Sequence, residues 1–517
     1  MRADGLSGQS AMNDTGSVSS GHAATASATS SHATRGAHNN PSSVQAIGWS
    51  AISAPKAEVI AARSARIRSP NGGLLVDSPA VSAPGSVDVV EEAAAAQTAV
   101  GALSLEERLE CVVRSRETLA AEGGVIIETA LRESGQTIRF ARRELASALA
   151  LLDALPEFAE AIRPRSVPSV TGTTTLEWHP YGVVFGWHAA NSPVWVPTVV
   201  SASALVAGNA VVCRPSRRVH ETTSRVLRAI AGHWPEGAVQ IVEKRPPDEA
   251  EALITHPRVG VIVAHGSTAT CKRQLARLSA AYDAGAPLRP YIPEASGNDP
   301  AIVLAGADLE RAAAAIAVGA FTNAGQLCMA AKRIIVESRV WPEFRPVLIA
   351  AVERLRMGDP AREETDVAPI GEGPGRGRAR TALAEALALG GEILVGRGED
   401  GPFFTPTIVV LPRAAVATIL WSEENFAPVR GLMLAADEDD AVALANADAH
   451  GLGASIFGSA EHIAGRLRVA RVVINADPLY QDPHFVVGGV GESGMFGARP
   501  KLEQLVYARR IHRAVLS

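Results

Sequence analysis

The stretch FTNAGQLCMAAKR, residues 321–333, places a cysteine where nucleophilic catalysis could use it. Cys328 follows an Asn-Ala-Gly-Gln turn between an alanine-rich helical run and the strand-like IIVES. A reacting thiol also requires a base and a donor for the developing oxyanion. Glu294 in PEASGNDP and Asn191 in HAANSP provide these two residue types near the ends of strand-like segments. Taken alone, Cys328 is more simply interpreted as a small buried residue.

A second set of residues has the pattern of a nucleotide site. In VIVAHGSTATCKRQL, Gly266 and Ser267 lie where a predicted strand ends and a helix begins. The free N–H groups of such a helix end can bind a pyrophosphate. The same residues also fit an ordinary turn with an N-cap, and no GxGxxG is present. CRPSRRVH adds Arg214, Arg217 and Arg218 near the same sheet edge, with a solvated cationic loop as the alternative.

Composition and charge restrict the class of protein. The chain has 517 residues, 47% of them hydrophobic, which predicts a large core and more than one domain. A net charge of -5 gives no basic surface for nucleic acid or anionic membranes. No apolar run reaches the roughly 18 residues of a membrane span, and no secretory signal is apparent. The four cysteines lack metal-ligand spacing. We expect a soluble cytoplasmic protein without a metal.

The order of predicted elements indicates an α/β fold. Residues 1–45 are rich in Ser, Ala and Thr and predict a disordered tail, with a transit peptide as the alternative. Ser104 and Glu107 form a capping box that opens a helix. Between 180 and 295, short apolar runs alternate with helical segments, which predicts a parallel sheet covered on both faces. A second α/β stretch from 298 to 470 would face the first across a cleft.

Cys328 and its flanking residues resemble the active-site signature of the aldehyde dehydrogenase superfamily, F-x-N-x-G-Q-x-C followed by Arg and a strand. The resemblance runs from about Ser69 to the C-terminus. Further segments that match in the family's order are HAANSPVWVP, NAVVCRPS, AHGSTATC, PEASGNDPAIVLAGADL, SEENFAPV, GLGASIF and VVGGVGESGMFGARP. The family's fold implies a Rossmann-type cofactor domain, an α/β catalytic domain and a small oligomerisation β-flap.

The resemblance implies boundaries for these parts. Residues 46–170 and 187–297 would form the dinucleotide-binding domain, 298–475 the catalytic domain, and 171–186 and 476–517 the oligomerisation segments. SVTGTTTLEWHPYG and LEQLVYARRIHRAV are similar to family strands that pair between subunits. A homodimer or homotetramer is therefore implied.

The family's reaction implies a role for each candidate. Cys328 would attack the aldehyde carbon, and the amide of Asn191 with the Cys328 N–H would stabilise the oxyanion. After hydride transfer, Glu294 would activate the water that hydrolyses the thioester. Two alternatives stay open: an enzyme that acylates coenzyme A or reduces an acyl thioester, and a non-catalytic scaffold of the same fold. Retention of Glu294 argues against the first alternative, and retention of Cys328, Asn191, Glu294 and Glu424 together argues against the second.

The family's binding residues also have counterparts in this chain. On the cofactor side they are Gly266, Ser267, Glu424, Phe426, Arg214, Ser216 and Arg217. Arg217 stands where many NAD-preferring members have a glutamate, so NADP is predicted over NAD. On the substrate side they are Trp195, Val196, Val199, Leu327 and Met329. These apolar walls predict an aliphatic or aromatic aldehyde. Ser296 replaces a family glycine after the base.

Overall fold

The structure is a computed structural model that describes residues 89–244, 246–371, 373–459, 461–480 and 488–514. The predicted tail at 1–45 lies outside these residues. The α-helices are α1 (Val89–Ala102), α2 (Leu105–Ala121), α3 (Gly123–Ser134), α4 (Ile138–Ala159), α5 (Trp195–Val206), α6 (His220–Ala231), α7 (Pro247–Ala252), α8 (Thr268–Asp283), α9 (Leu309–Phe321), α10 (Trp341–Glu353), α11 (Pro374–Ala388), α12 (Ile419–Ser422), α13 (Glu438–Asn446), α14 (Glu461–Ala464) and α15 (Lys501–Gln504).

The predicted capping box at the start of α2 is confirmed. The Ser104 hydroxyl accepts a hydrogen bond from the Glu107 N–H at 3.2 Å, and the Glu107 carboxylate accepts one from the Ser104 N–H at 2.7 Å. The side chain of each residue therefore accepts the backbone N–H of the other at the helix start.

A five-stranded parallel sheet confirms the predicted βαβ series. Its strands are β3 (Val183–Trp187), β4 (Ala210–Arg214), β5 (Val239–Ile241), β6 (Val259–His265) and β7 (Tyr291–Glu294), in the order β5-β4-β3-β6-β7. Alternate side chains enter two separate hydrophobic clusters, Val184 on one face and Phe185 on the other. The chain order reverses between β3 and β6, which opens a crevice at the carboxyl ends of these strands.

A seven-stranded sheet forms the second α/β region. Its strands are β8 (Asp299–Val303), β9 (Ala331–Glu337), β10 (Glu392–Val395), β13 (Thr407–Val410), β14 (Val429–Ala435), β16 (Gly453–Phe457) and β17 (Arg471–Ile474). The order is β10-β13-β14-β9-β8-β16-β17, and β10 alone among them is antiparallel to its neighbour. Helix α9 and strand β9 flank Cys328, as the sequence predicts.

A three-stranded antiparallel sheet joins β1 (Arg165–Ser169), β2 (Gly172–Pro180) and β19 (Val506–Ala514) in the order β1-β2-β19. The predicted oligomerisation segment 171–186 is too long for this sheet, because its last four residues belong to β3. Strand β1, predicted to lie in the dinucleotide-binding domain, pairs with β2 instead. Two short pairs complete the described strands, β11 (Glu399–Asp400) with β12 (Phe403–Phe404) and β15 (His450–Gly451) with β18 (Val490–Gly491).

Candidate active site

The loop before Cys328 has an unusual backbone. Asn323, Ala324 and Gly325 are consecutive residues with φ values of 52°, 52° and 72°. Non-glycine residues adopt this left-handed region only at a cost. The buried Arg430 side chain stabilises the loop, since its Nη2 donates to the carbonyl oxygens of Ala320 at 2.6 Å and Gly325 at 3.2 Å. A Cβ atom on Gly325 would collide with the same Nη2. The loop geometry is therefore held from inside the core.

Lys332 is a buried lysine beside the nucleophile. Its Nζ donates to the carbonyl oxygens of Leu327 at 2.7 Å and Cys328 at 2.6 Å. It also lies 3.6 Å from Glu424 Oε1, which accepts the Gly297 N–H at 3.0 Å. One ammonium thus connects the nucleophile loop to the glutamate expected at the cofactor ribose.

The thiol of Cys328 is neutral at neutral pH. Burial raises its pKa to about 11, and the positive charge of Lys332 opposes that rise. The carboxylates of Glu424, Asp299 and Glu294 add to the rise. The site therefore favours the protonated thiol of Cys328, and this proton must be removed before the reactive thiolate can form.

Glu294 ends β7 and pairs in register with His265 of β6. Its Oε1 accepts a hydrogen bond from the Lys501 ammonium. Burial raises the pKa of Glu294, and Lys501 acts in the opposite direction. The carboxylate is a buried base with a cation in direct contact.

One cavity of about 730 Å³ brings most of the predicted residues together. Cys328, Glu294 and Asn191 all line it. So do the predicted substrate and cofactor residues Trp195, Val196, Leu327, Met329, Gly266, Ser267, Glu424 and Phe426. The cavity lies at the crevice expected from the strand order, because the segments that follow β3 and β6 contribute to its wall.

The structure does not bring Val199 to the cavity wall. Its side chain is fully buried in the hydrophobic cluster that also contains Val194 and Val200. Helix α5 is apolar and buried on every side, so its sequence pattern gives no sign of which face meets the cavity. Trp195 and Val196, at the start of the helix, line the cavity instead.

The arginine cluster lies at the end of β4. Arg214 stacks over the Trp187 ring at 4.0 Å, and burial together with the charge of Arg217 lowers its pKa. Arg214, Ser216 and Arg217 do not line the cavity. Arg217 is exposed and begins the 3₁₀ turn Arg217–Val219. Arg218, by contrast, lines the cavity. Of these three arginines, only Arg218 contributes to the cavity wall.

The turn after β6 has the features of a phosphate site. Ser267 is the N-cap of α8, and its hydroxyl accepts the Thr270 N–H at 3.2 Å. The Thr268 N–H, at the first position of the helix, donates to the Ser296 hydroxyl at 3.2 Å. Ser296 thus contacts the helix end that would face a pyrophosphate.

Glu144 positions the segment that carries Asn191. Its Oε1 accepts hydrogen bonds from the Ser192 hydroxyl at 2.7 Å and from the N–H groups of Val194 at 2.8 Å and Trp195 at 2.9 Å. Burial raises the pKa of this carboxyl, and these donors oppose the rise. Glu144 therefore fixes both the entry to α5 and the residue beside Asn191.

Sequence reasoning missed Glu144, Lys332, Arg430 and Lys501. Lys332 lies within FTNAGQLCMAAKR and Arg430 directly follows SEENFAPV, and their charge in otherwise apolar strands was the available signal. Elsewhere in the described residues, no group of three or more His, Cys, Asp or Glu side chains is arranged to hold a metal ion. No described helix combines the length and hydropathy that crossing a bilayer requires.

The sequence profile of the aldehyde dehydrogenase family matches residues 63–507. The chain belongs to the aldehyde dehydrogenase family. Vanillin dehydrogenase of Pseudomonas fluorescens is 32% identical over 457 residues, which are 86% of this chain and 92% of that protein. Succinate-semialdehyde dehydrogenase [NADP(+)] of Mycobacterium leprae is 30% identical and covers 73% of this chain and 83% of its own length.

Solved structures agree with this aldehyde dehydrogenase assignment. NADP-dependent glyceraldehyde-3-phosphate dehydrogenase from Bacillus halodurans, complexed with NADP, superposes with a TM-score of 0.76 at 27% identity. The match covers 83% of this chain and 91% of that one. The predicted fold class is confirmed, and the chain is an oxidoreductase of this family.

Proposed function

We propose that this aldehyde dehydrogenase oxidises an apolar aliphatic or aromatic aldehyde to the carboxylic acid, with Cys328 as nucleophile and Glu294 as hydrolytic base. The observation that carries the proposal is the presence of Cys328, Glu294 and Asn191 on the wall of one cavity with the Gly266–Ser267 turn. A thiol, a base, an oxyanion donor and a helix end for phosphate are the parts that this reaction requires.

The chemistry of these residues has two stages. The Cys328 thiol loses its proton to solvent water and its sulfur attacks the aldehyde carbon, and the Asn191 amide with the Cys328 N–H stabilises the resulting oxyanion. A nicotinamide held beside the Gly266–Ser267 turn and Glu424 would supply the hydride acceptor for this carbon. In the second stage Glu294 takes a proton from water, the water oxygen attacks the thioester carbon, and the C–S bond breaks to release the acid.

The residues around the crevice fit a dinucleotide with a 2′-phosphate. The start of α8 offers N–H groups to the pyrophosphate, and Glu424 is available to the nicotinamide ribose. Arg214 and Arg217 lie close enough for the charge of one to lower the pKa of the other, so an anion between them is favoured. A relative and a solved structure whose names specify NADP support the same preference. We propose NADP as the preferred cofactor.

The substrate wall favours an apolar aldehyde. Phe140, Trp195, Met329 and Leu479 line the cavity near the thiol. Arg143 also lines it, but its guanidinium already contacts Asp477 at 3.2 Å and the Leu479 carbonyl at 2.8 Å. A carboxylate or phosphate on the substrate would have to displace these partners. The vanillin dehydrogenase relative, named for an aromatic aldehyde, is consistent with this substrate class.

We also propose that the three-stranded sheet pairs between two copies of the chain, to give a homodimer or a dimer of dimers. Strand β1 is exposed along its whole length and forms an edge of this sheet. An exposed edge offers unpaired backbone groups to another strand. Light scattering on the purified protein tests this assembly, and a monomeric mass would contradict it.

Absorbance at 340 nm, with aromatic, aliphatic, carboxylated and phosphorylated aldehydes and with NADP or NAD, tests the reaction. We expect reduction of NADP with the apolar aldehydes. Reduction only when coenzyme A is present would favour the acylating alternative. If nucleotide binds but no aldehyde is oxidised under either condition, the scaffold alternative is supported.

A further inference from the structure

Lys501 is a buried cation in contact with Glu294, which lines the cavity, and no sequence pattern assigned Lys501 to the reaction. Its side chain is 1% exposed, and its ammonium donates to Glu294 Oε1 across 207 residues of sequence. The side chain of Glu294 is 10% exposed. A buried carboxylate and a buried ammonium in direct contact form an ion pair that water screens little.

Backbone contacts place Lys501 beside the base. The Ala295 N–H donates to the Ser493 carbonyl oxygen at 3.0 Å, and Glu294 forms a bridge with Gly494. Leu502 and Leu505 are buried and anchor the short helix α15. The end of β7 and the C-terminal segment are therefore held together independently of the ion pair.

The other ionisable groups near Glu294 carry no positive charge at neutral pH. Burial and the charge of Lys501 hold the pKa of His265 well below its usual range, and burial lowers that of His188 to about 3. Burial also raises the pKa values of the nearby thiols to about 11. Ionisable groups that interact with Glu294 or lie beside it in the described residues include Lys501 on α15, His265 on β6, Cys271 on α8 and Cys328, and His188 interacts with His265.

We propose that Lys501 is a positioning residue for the hydrolytic base, holding the Glu294 carboxylate in place and keeping it ionised between turnovers. The inference rests on the proposed function, because Glu294 serves as a base when water attacks the thioester. A protonated Glu294 cannot accept the proton of that water, so the charge of Lys501 acts on hydrolysis. In the proposed reaction the thiol proton goes to solvent, so formation of the thioester does not use this base.

The test compares Lys501→Gln and Lys501→Arg with Glu503→Gln, an exposed site on the same helix. Rapid mixing separates the burst of NADPH, which reports thioester formation, from the steady rate, which reports hydrolysis. In Lys501→Gln we expect a burst within about twofold of wild type and a steady rate about tenfold lower at pH 7. Loss of the cation raises the pKa of Glu294, so the acid limb of the steady rate should move to higher pH. Lys501→Arg should retain most of the wild-type steady rate.

An acid limb in Lys501→Gln at the wild-type pH would overturn the proposal, as would a parallel loss of burst and steady rate that arginine does not rescue. Absence of aldehyde oxidation by the wild-type protein is a different result and overturns the proposed function itself. If Lys501→Gln does not fold, thermal unfolding of Glu294→Gln and of Glu294→Gln/Lys501→Met provides a second measurement. We expect the double variant to be more stable than the single one, since the single leaves an unpaired buried ammonium. A double variant that is no more stable than Glu294→Gln would contradict the pairing.

Discussion

Cys328 and Glu294, the proposed nucleophile and base, lie on the wall of one cavity and each has a buried lysine, but the two lysines contact different kinds of atom. Lys332 donates to two backbone carbonyl oxygens, and its positive charge opposes the rise in the pKa of the Cys328 thiol. Lys501 contacts the Glu294 carboxylate directly. The nucleophile side therefore fixes a backbone, whereas the base side fixes a charge.

This difference matches what each group must do. A thiol with a pKa of about 11 stays protonated at neutral pH, and in the proposed reaction its loop supplies an N–H for the oxyanion. A general base must be ionised before its step begins. Lys332 thus stabilises the backbone of the Cys328 loop, and Lys501 stabilises the charge of Glu294. Separate variants of the two regions can reveal this difference.

The largest effect is expected on the nucleophile side. Cys328→Ala removes the sulfur that forms the covalent intermediate and should lower aldehyde oxidation by at least about 10⁴-fold. Absorbance at 340 nm measures the loss, and retained binding of NADP, followed by fluorescence quenching, serves as the control for folding. Residual oxidation near the wild-type rate would eliminate Cys328 as the nucleophile.

The base side should fail in a different step. Glu294→Gln keeps the size of the side chain but cannot accept a proton, so the steady rate should fall by about 10²–10³-fold. The burst of NADPH should remain close to one per active site, because the thioester still forms. Stopped-flow absorbance resolves the two phases. A variant that lost its burst and its steady rate together would remove the distinction between the nucleophile side and the base side.

The lysine of the nucleophile side can be tested without turnover. Lys332→Met removes the charge that opposes the raised pKa of Cys328, so alkylation of that thiol by iodoacetamide at pH 8 should slow by about tenfold. In wild type the rate should climb steadily from pH 7 towards the pKa of about 11. Lys244→Met, at an exposed lysine, is the matched control. Equal alkylation rates in all three proteins would assign Lys332 a purely structural role.

A change in the arginine cluster at the end of β4 should leave the nucleophile side and the base side unaffected. Arg217→Glu replaces a phosphate partner with a repelling acid, and we expect the KM for NADP to rise by about threefold to tenfold while that for NAD does not. The ratio of burst to steady rate should be unchanged. Arg345→Glu, exposed on α10, carries the same charge change away from the arginine cluster. If both variants alter KM alike, the effect belongs to net charge and not to Arg217.

Local patterns predicted the strands, helices and motif residues because each depends on its immediate neighbours. The alternation of apolar runs gave the parallel sheet, and the capping box at Ser104 fixed a helix start. Cys328, Glu294 and Asn191 each lie close to the end of a strand or helix, so the fold brings them together once the strand order is known.

The residues that escaped prediction act across long separations. Lys501 meets Glu294 across 207 residues, and Arg430 reaches Ala320 across 110. A charged residue in an apolar segment indicates a buried partner without identifying it. The prediction that Val199 lines the substrate wall failed for a different reason. A helix buried on all sides has no polar face that would indicate its orientation.

The central claim is that Cys328 carries a thioester that Glu294 hydrolyses. The intact mass of Glu294→Gln, recorded after brief incubation with NADP and an aromatic aldehyde, tests it most directly. We predict one added acyl group per chain, mapped to Cys328 by peptide analysis and missing in Glu294→Gln/Cys328→Ala. A Glu294→Gln protein that reduces NADP at the wild-type steady rate without accumulating the acyl group would contradict the account.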